Sequence, residues 1–165
     1  MFDNLQRFKI PSPQSIFTLS YFKQNPDPFY QLSKEIWPTK FSPTKTHKFI
    51  KLLHDKKVLL RCYTQNIDGL ERIAGIPPDR LVEAHGTFSK CFCIQCNAKY
   101  SSTLFKKQVF NDQRPLCPYC KGFVKPAIVF FGEDMPKRFK KLSIEDFSKC
   151  DLLIVMGTSL QVHYG

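Results

Sequence analysis

Residues 58–64 read V-L-L-R-C-Y-T, and the polar run Q-N-I-D-G-L follows directly at residues 65–70. The first run begins apolar without alternation, which is typical of a strand buried on both faces of a parallel sheet. Ligands of open α/β sheets bind outside the carboxyl ends of such strands, where the second run lies. Another polar run, V-E-A-H-G, contains a histidine and ends at Gly86. The sequence therefore predicts that residues 63–86 form one wall of an active site.

The segments around this stretch alternate between helix and strand, which is the pattern of an α/β fold. Asn-Pro and Ser-Pro pairs at residues 25–26 and 42–43 are typical helix starts, and apolar residues recur at helical spacing after both. The second of these helices carries His47 and His54, which we interpret as surface residues because they stand isolated on a basic amphipathic helix. A third, short helix is predicted to begin at Ser143.

Two further strands are predicted downstream, at residues 127–131 and 152–156. The second of them runs into Gly157, Thr158 and Ser159, so this loop occupies a strand end in the same way as the Q-N-I-D-G-L run. A glycine permits close backbone approach, and hydroxyls with free amides bind phosphate or ribose oxygens. The G-T-S motif is weak alone, but two strand ends with such loops predict a ligand site.

Four cysteines form the strongest single motif of the chain. Cys93 and Cys96 are separated by two residues, as are Cys117 and Cys120 further along. Two Cys-x-x-Cys turns that aim four thiolates at one point make a tetrahedral site that suits Zn²⁺ and leaves no coordination position open. We interpret the motif as a structural zinc site in an inserted module at residues 88–125, with two disulfides as the alternative.

The other three cysteines are interpreted as structural. Cys62 and Cys150 lie in or beside predicted strands and are expected to be small core residues, while Cys91 is an alternative ligand to Cys93. The chain shows no apolar secretory signal and no apolar run of about 20 residues that would span a bilayer. We therefore expect an intracellular protein of the cytoplasm, nucleus or mitochondrion, in a reducing compartment and with no membrane partner.

The chain is basic, with 25 lysine and arginine residues against 14 aspartate and glutamate residues and a formal net charge of +11. The basic residues are scattered, and even the densest run, at residues 137–141, is interpreted as a solvated surface. A zinc module that binds nucleic acid is the rival interpretation. The tips of the two cysteine turns are uncharged, which disfavours direct nucleic-acid binding. These tip residues are Ile94, Gln95, Pro118 and Tyr119.

Five ordered motifs run through nearly the whole chain, and together they resemble the sirtuins, the NAD-dependent protein lysine deacylases. The similarity is greatest to the eukaryotic class that includes cytoplasmic and mitochondrial deacetylases. The motifs are T-Q-N-I-D-G-L-E-R at 64–72, V-E-A-H-G-T at 82–87, the two cysteine pairs, V-K-P-A-I-V-F-F-G-E at 124–133 and D-L-L-I-V-M-G-T-S-L-Q-V at 151–162. The opening F-D-N-L-Q-R-F at residues 2–8 is also similar to a family segment.

The resemblance implies a role for each matching residue. His85 would be the general base that acts on the ribose hydroxyls of NAD. A strand would pair with the substrate peptide and help to form the acyl-lysine tunnel. The residues implied to bind NAD are Gln65, Asn66, Ile67, Asp68, Gly157, Thr158 and Ser159, and those implied to bind substrate are Val129, Phe130, Phe131, Gly132 and Glu133.

The chain also departs from the family pattern at both ends. In the family a G-A-G-x-S loop precedes the segment that resembles residues 2–8, and this chain starts at Met1 after that loop. The similarity stops at residues 163–164, before further family strands. The fold is therefore predicted to be a Rossmann-like α/β sheet, incomplete at both termini, with a small zinc-ribbon module. The predicted domains are a catalytic domain over 1–87 and 126–165 and the zinc module over 88–125.

The resemblance implies an NAD-dependent protein lysine deacetylase or deacylase that transfers the acyl group to ADP-ribose and releases nicotinamide. NAD would be its co-substrate and Zn²⁺ its structural metal. Acyl-lysine proteins or peptides would be its substrates, with histones among the candidates. The alternative, from another class, is a truncated and catalytically incompetent fragment that acts as a zinc-containing module binding protein or nucleic acid.

Overall fold

The computed structural model describes residues 12–38 and 41–160, and the segments at 2–8 and 161–165 lie outside those residues. A 3-10 helix at Pro13–Phe17 comes first. The α-helices are α1 (Leu19–Gln24), α2 (Asp27–Glu35), α3 (Lys45–Asp55), α4 (Leu70–Ile73), α5 (Ser102–Phe110) and α6 (Lys137–Phe147). The strands are β1 (Cys62–Thr64), β2 (Leu81–Glu83), β3 (Gly86–Cys93), β4 (Lys99–Tyr100) and β5 (Val124–Ile128).

Strands β1 and β2 form the parallel part of the fold. They pair from Cys62 with Leu81 to Thr64 with Glu83. The strand predicted at residues 58–64 is therefore confirmed over its last three residues only, because its first four residues are exposed or half-buried and lie outside the ladder. The helices predicted after residues 25–26 and 42–43 are confirmed as α2 and α3.

A small hydrophobic cluster packs against this parallel pair. Its buried members are Cys62, Ile76 and Leu81, and Ile50 of α3 packs against them. Cys62 is thereby confirmed as a small core residue, whereas Cys150 is only half-buried. The cluster joins α3 to β1, so it fixes the strand from which the polar run at residues 65–70 emerges.

The second sheet is antiparallel, with the strand order β4-β3-β5. Its long ladder runs from Gly86 opposite Ile128 to Cys93 opposite Val124. The strand predicted at residues 127–131 is therefore shifted towards the N-terminus, and its partner is β3 of the antiparallel sheet. One continuous strand, β3, connects the end of the histidine motif with the first cysteine pair.

An aromatic core joins this sheet to α1 and α2. Phe22, Phe29 and Phe130 contact one another edge to face, with ring centroids 5.0 to 5.7 Å apart. Such pairs contribute about 0.5–1.5 kcal/mol each beyond the burial of their area. Tyr30 donates its hydroxyl to the carbonyl of Val124 at 2.8 Å, and burial raises the pKa of that hydroxyl. The core therefore holds β5 against α2.

The strand predicted at residues 152–156 is wrong. No strand among the described residues pairs with this segment, and its side chains are 44 to 71% exposed. An apolar run shows that a segment can be buried, but a strand also requires a neighbour that accepts its hydrogen bonds. In the described part of the chain, no helix is both long and apolar enough to cross a membrane.

The helix predicted to begin at Ser143 begins earlier, at Lys137, and Ser143 lies inside it. Asp146, which was predicted to complete the cap at Ser143, instead makes a long-range contact that the sequence pattern does not show. This buried carboxylate accepts hydrogen bonds from Arg61 at 2.7 and 2.9 Å and from the Tyr63 hydroxyl at 2.5 Å. Helix α6 is thereby bonded to the parallel pair through β1 and the residue before it.

Candidate active site and metal centre

The polar runs that follow β1 and β2 meet at one edge of the parallel pair, because parallel strands place their carboxyl ends together. A cavity of about 810 Å³ lies at this edge. Residues of both runs thus line one cavity. The cavity is lined by seven of the predicted site residues, namely Gln65, Asn66, Ile67, Asp68, His85, Val129 and Phe131.

A second wall of the cavity was missed by sequence reasoning. It is largely apolar and comes from the 3-10 helix, α2, the segment before α3, the start of α4 and the end of β5. The helical spacing of Leu32 and Ile36 is the signal that could have found two of its members. The lining residues that were not predicted are Phe17, Leu32, Ile36, Phe41, Ser42, Thr44, Leu70 and Ile128.

His85 lies two residues beyond β2 and is half-buried. Its carbonyl accepts a hydrogen bond from the Val129 N–H at 2.9 Å, which ties the histidine loop to the end of β5. Burial lowers the pKa of the imidazole from its ordinary 6.5, while a hydrogen bond with the backbone of Gln65 opposes that shift. The neutral ring is therefore favoured at pH 7, and a neutral histidine is the form that accepts a proton.

The residue after His85 is a glycine because β5 approaches too closely for any side chain. Gly86 has a φ of +82°, and a Cβ added there would lie 1.8 Å from the carbonyl oxygen of Ala127. Only a residue without Cβ permits both this backbone conformation and this approach. The histidine is thus placed directly at the start of the β3–β5 ladder.

Gly86→Ala is expected to destabilise the folded chain by more than the ~1–2 kcal/mol that left-handed backbone costs a residue with a Cβ. The excess arises because β5 must also move. Urea unfolding measures the effect, with Gly132→Ala as the matched control, since Gly132 has a φ of +84° and nothing within 4 Å of an added Cβ. Equal losses of stability in the two variants would contradict the close-approach argument.

A buried hydrogen-bond network holds the turn that follows β1. The Thr64 hydroxyl donates to Glu71 Oε1 at 2.5 Å, and the Asn66 N–H donates to Thr64 Oγ1 at 3.1 Å. Asp68 Oδ1 accepts from the Leu70 N–H at 3.0 Å, near the start of α4. These hydrogen bonds fix the conformation of the turn, so the polar groups that it presents to the cavity are preorganised.

His47 was interpreted as a surface residue, and that interpretation is wrong. Its side chain is 12% exposed, and its Nε2 lies 3.9 Å from Glu71 Oε1. Candidate ligand atoms of His47, Asp68 and Glu71 all lie within 4.8 Å of one another. However, all three side chains already have partners in the protein: His47 Nδ1 accepts from the Thr44 N–H at 3.2 Å, Glu71 Oε1 accepts from the Thr64 hydroxyl, and Asp68 Oδ1 accepts from the Leu70 N–H. The group is a polar support of the cavity wall.

The loop at residues 157–159 reaches the same polar turn. The Thr158 hydroxyl donates to Gln65 Oε1 at 2.8 Å, which brings together two of the runs predicted to bind NAD. Gly157 has a φ of +67°, and both Gly157 and Ser159 are exposed. Thr158 thus bonds to the cavity wall, and an NAD-binding role for all three residues of the loop stays a prediction.

The segment at residues 129–133 differs from the strand implied by the resemblance. Only Phe131 forms a strand-like bridge, and its N–H donates to the Phe17 carbonyl at 2.7 Å. The Phe130 side chain is fully buried in the aromatic core, so it does not face the cavity. Glu133 bonds inwards, where its Oε2 accepts from the Phe130 N–H at 2.8 Å. Substrate binding by this segment stays a prediction.

The four predicted zinc ligands converge. The sulfurs of Cys93 and Cys120 are 3.4 Å apart, those of Cys96 and Cys117 are 3.6 Å apart, and all four lie within 4.8 Å of one another. Tetrahedral Zn²⁺ with Zn–S bonds of about 2.3 Å places its sulfurs about 3.8 Å apart, so this donor set fits zinc. The separations exceed the ~2.05 Å of a disulfide, which contradicts that alternative. Cys91 is buried and lies outside the cluster.

The turns that hold these cysteines take a left-handed backbone at equivalent positions. Asn97 and Lys121, each the residue after the second cysteine of its pair, have φ angles of +57° and +60°. Within the first turn, the Gln95 N–H donates to Cys93 Sγ at 3.4 Å. Hydrogen bonds from amides stabilise a thiolate, which is the form that binds the metal. The sequence spacing therefore produces two similar half-sites.

Comparison with known proteins decides the family. A family model described as "Sir2 family" matches residues 1–164. The chain belongs to the Sir2 family. This Sir2-family chain is 54% identical to "NAD-dependent deacetylase sir2A" of Dictyostelium discoideum, over 99% of the chain and 32% of that relative. It is 50% identical to "NAD-dependent protein deacetylase sirtuin-2" of Danio rerio, over 98% of the chain and 43% of the relative.

A third relative, "NAD-dependent protein deacetylase sirtuin-3" of Mus musculus, is 51% identical over 98% of the chain and 48% of its own length. The Sir2-family chain thus spans less than half the length of these relatives. Family membership confirms the Rossmann-like α/β fold class, and the cysteine cluster confirms the zinc ribbon. The domain boundaries and the roles of individual site residues stay predictions.

Proposed function

We propose that this chain carries the catalytic histidine and the substrate-binding wall of an NAD-dependent protein lysine deacylase. The observation that carries the proposal is the place of His85 at a cavity of about 810 Å³, beside Gln65, Asn66 and Asp68. Support also comes from the relatives described above, whose names are those of NAD-dependent deacetylases.

The residues at the cavity fit NAD. The volume lies within the ~300–1,000 Å³ range of small-molecule sites, and most of the lining is apolar with a few polar side chains, as in such sites. The amides of Gln65 and Asn66 and the carboxylate of Asp68 offer the donors and acceptors that a carboxamide and a ribose require. When bound, NAD supplies the ADP-ribosyl group that receives the acyl group and leaves nicotinamide as the other product.

In the proposed reaction His85 accepts a proton from a ribose hydroxyl. Two features equip it for that step: burial favours its neutral form, and its backbone is anchored to Val129. An anchored base needs little reorientation, and holding reacting groups in place contributes much of the rate of such reactions. The Thr64–Glu71 network holds the opposite polar turn in the same way.

The apolar wall suits an acylated lysine. Acylation removes the lysine charge, so the modified side chain can enter a pocket formed by Phe17, Val129 and Phe131 without the cost of burying an ammonium group. The same wall disfavours unmodified lysine, which gives selectivity for the acylated substrate. Proteins with acyl-lysine, histones among them, are the proposed substrates, and the cytoplasm, nucleus or mitochondrion is the proposed location.

The pH dependence of the reaction follows from the pKa of His85. Because burial lowers that pKa from 6.5, the base is already neutral at pH 7. We expect kcat/KM to be flat above about pH 7 and to fall about tenfold per pH unit once the pH drops through the lowered pKa. A pH–rate profile measures this, with zinc content followed in parallel to show that the fold persists. An inflection above pH 6.5 would contradict the assignment.

The proposed function is tested by nicotinamide release from NAD in the presence of a peptide with one Nε-acetyl-lysine. The unacetylated peptide is the matched control, and release is expected with the acetylated peptide only. A folded, zinc-loaded chain that releases no nicotinamide would contradict the proposal. That result would favour the rival interpretation, a zinc-containing binding module in which the cavity beside His85 is not catalytic.

A further inference from the structure

Lys125 of β5 is a charged side chain in the interior of the protein. The residue is 7% exposed, and its Nζ donates to the Ile128 carbonyl at 2.7 Å and to Glu133 Oε2 at 2.9 Å. The same Nζ lies 4.2 Å from the centroid of the Phe130 ring. The ammonium group thus contacts a backbone carbonyl, a carboxylate and an aromatic face, which together replace its hydration.

Glu133 completes this arrangement from the other side of the turn. Its Oε2 accepts the Lys125 ammonium and also the Phe130 N–H at 2.8 Å, while its own N–H donates to the Phe130 carbonyl at 3.0 Å. The turn at residues 130–133 is therefore held by two hydrogen bonds between Phe130 and Glu133, one through the Glu133 N–H and one through its carboxylate. Val129 and Phe131, on either side of the buried Phe130, line the cavity.

We propose that the buried Lys125 and the partly buried Glu133 form a clamp that positions the cavity wall at Val129 and Phe131. The inference rests on the proposed function, because it assigns this wall to the acyl-lysine peptide. Glu133, which the resemblance placed among substrate-binding residues, acts here as a positioning residue that does not touch substrate.

The electrostatics of the pair explain why the clamp holds one conformation. Burial lowers the pKa of Lys125, and the neighbouring Glu133 carboxylate opposes that shift, so the Lys125 ammonium depends on Glu133 to remain charged. Removal of one partner leaves an uncompensated buried charge, which is strongly destabilising, whereas removal of both charges is tolerated much better. If the pair is lost, the turn keeps the buried Phe130 ring and the Phe131 N–H bond to the Phe17 carbonyl, but it loses the ion pair that ties residue 133 to β5.

The test compares three variants of the full chain. Glu133→Gln removes one charge, and the double variant Lys125→Met/Glu133→Gln removes both, so the double variant reports on positioning when the single variant folds poorly. Asp134→Asn is the matched control, since Asp134 pairs with the exposed Lys140 at 2.6 Å and makes no contact with the clamp. Zinc content and circular dichroism establish folding.

Two measurements are made on each variant. The first is hydrogen exchange of the Phe130 amide, which is expected to become about tenfold faster in the double variant and to stay at the wild-type rate in Asp134→Asn. The second is steady-state deacetylation of an acetyl-lysine peptide. The KM for peptide is expected to rise about tenfold in the double variant while kcat and the KM for NAD remain near wild type, because only substrate positioning is lost.

Each result decides the inference. Faster exchange together with a raised KM for peptide supports the clamp. An unchanged exchange rate, or a fall in kcat at unchanged KM for peptide, overturns it. A wild-type chain without turnover contradicts the proposed function instead, and the exchange of the Phe130 amide then decides the clamp alone.

Discussion

Replacing His85 by alanine is expected to lower kcat for NAD-dependent deacetylation about 100- to 10,000-fold, the usual contribution of a general base. The loss should fall mainly on catalysis, because alanine keeps the carbonyl that accepts from the Val129 N–H and loses only the bond between the imidazole and the backbone of Gln65. The measurement is nicotinamide release at saturating peptide and NAD, together with peptide affinity by fluorescence anisotropy, which should stay at the wild-type level.

The matched control is His54→Ala. His54 is half-buried in the last turn of α3 and does not line the cavity, so its loss removes an imidazole of similar burial without touching the site. Full activity is expected in this variant. Turnover that survives in His85→Ala would contradict the assignment of the base, and a loss of activity in both variants would show that the effect is not specific to the cavity.

Short sequence motifs predicted the parts of the site whose geometry depends on residues close together in the chain. The two Cys-x-x-Cys turns each aim their sulfurs by means of their own backbone, so the ligand set followed from spacing alone. The runs after β1 and β2 were also predictable, because parallel strands place their carboxyl ends at one edge. His85 and the turn at residues 65–68 thus lie together as the motifs indicated.

Features that depend on distant contacts could not be predicted. His47 lies on a helix face that looks exposed in the sequence, but its side chain is largely covered and its Nε2 lies 3.9 Å from Glu71 of α4. Lys125 sits in an apolar run, and its burial depends on the chain folding back eight residues later at Glu133. The segment at residues 152–156 has the composition of a buried strand, but among the described residues it has no strand partner.

Loss of the zinc site is expected to have the largest effect on stability. Cys117→Ala should abolish zinc binding, because three sulfurs no longer complete the tetrahedral site. Structural zinc contributes about 10–16 kcal/mol to the folding of small zinc domains, which is as much as the ~5–15 kcal/mol stability of a whole domain. We therefore expect the three-stranded sheet and α5 to unfold in this variant and in the wild-type chain after treatment with a strong zinc chelator.

The single tryptophan of the chain reports this unfolding directly. Trp37 is buried and contacts Phe88 of β3 and Phe105 of α5, with ring centroids 5.0 and 6.1 Å apart. Its fluorescence is expected to shift to the red as the zinc module unfolds. Cys150→Ala is the matched control, since Cys150 is half-buried outside the cluster and should retain one zinc per chain and the native emission.

Zinc loss should also remove activity, for a reason distinct from that in His85→Ala. Strand β3 starts at Gly86, directly after the histidine, and its pairing with Ile128 of β5 keeps the Val129 N–H in reach of the His85 carbonyl. If the zinc module unfolds, the β3–β5 ladder loses its pairing near Cys93 and Val124. The hydrogen bond between the Val129 N–H and the His85 carbonyl is then no longer held in place. His85→Ala should therefore lose turnover with zinc and native emission intact, whereas Cys117→Ala should lose all three. Native Trp37 emission in a zinc-free chain would contradict a structural role for the metal.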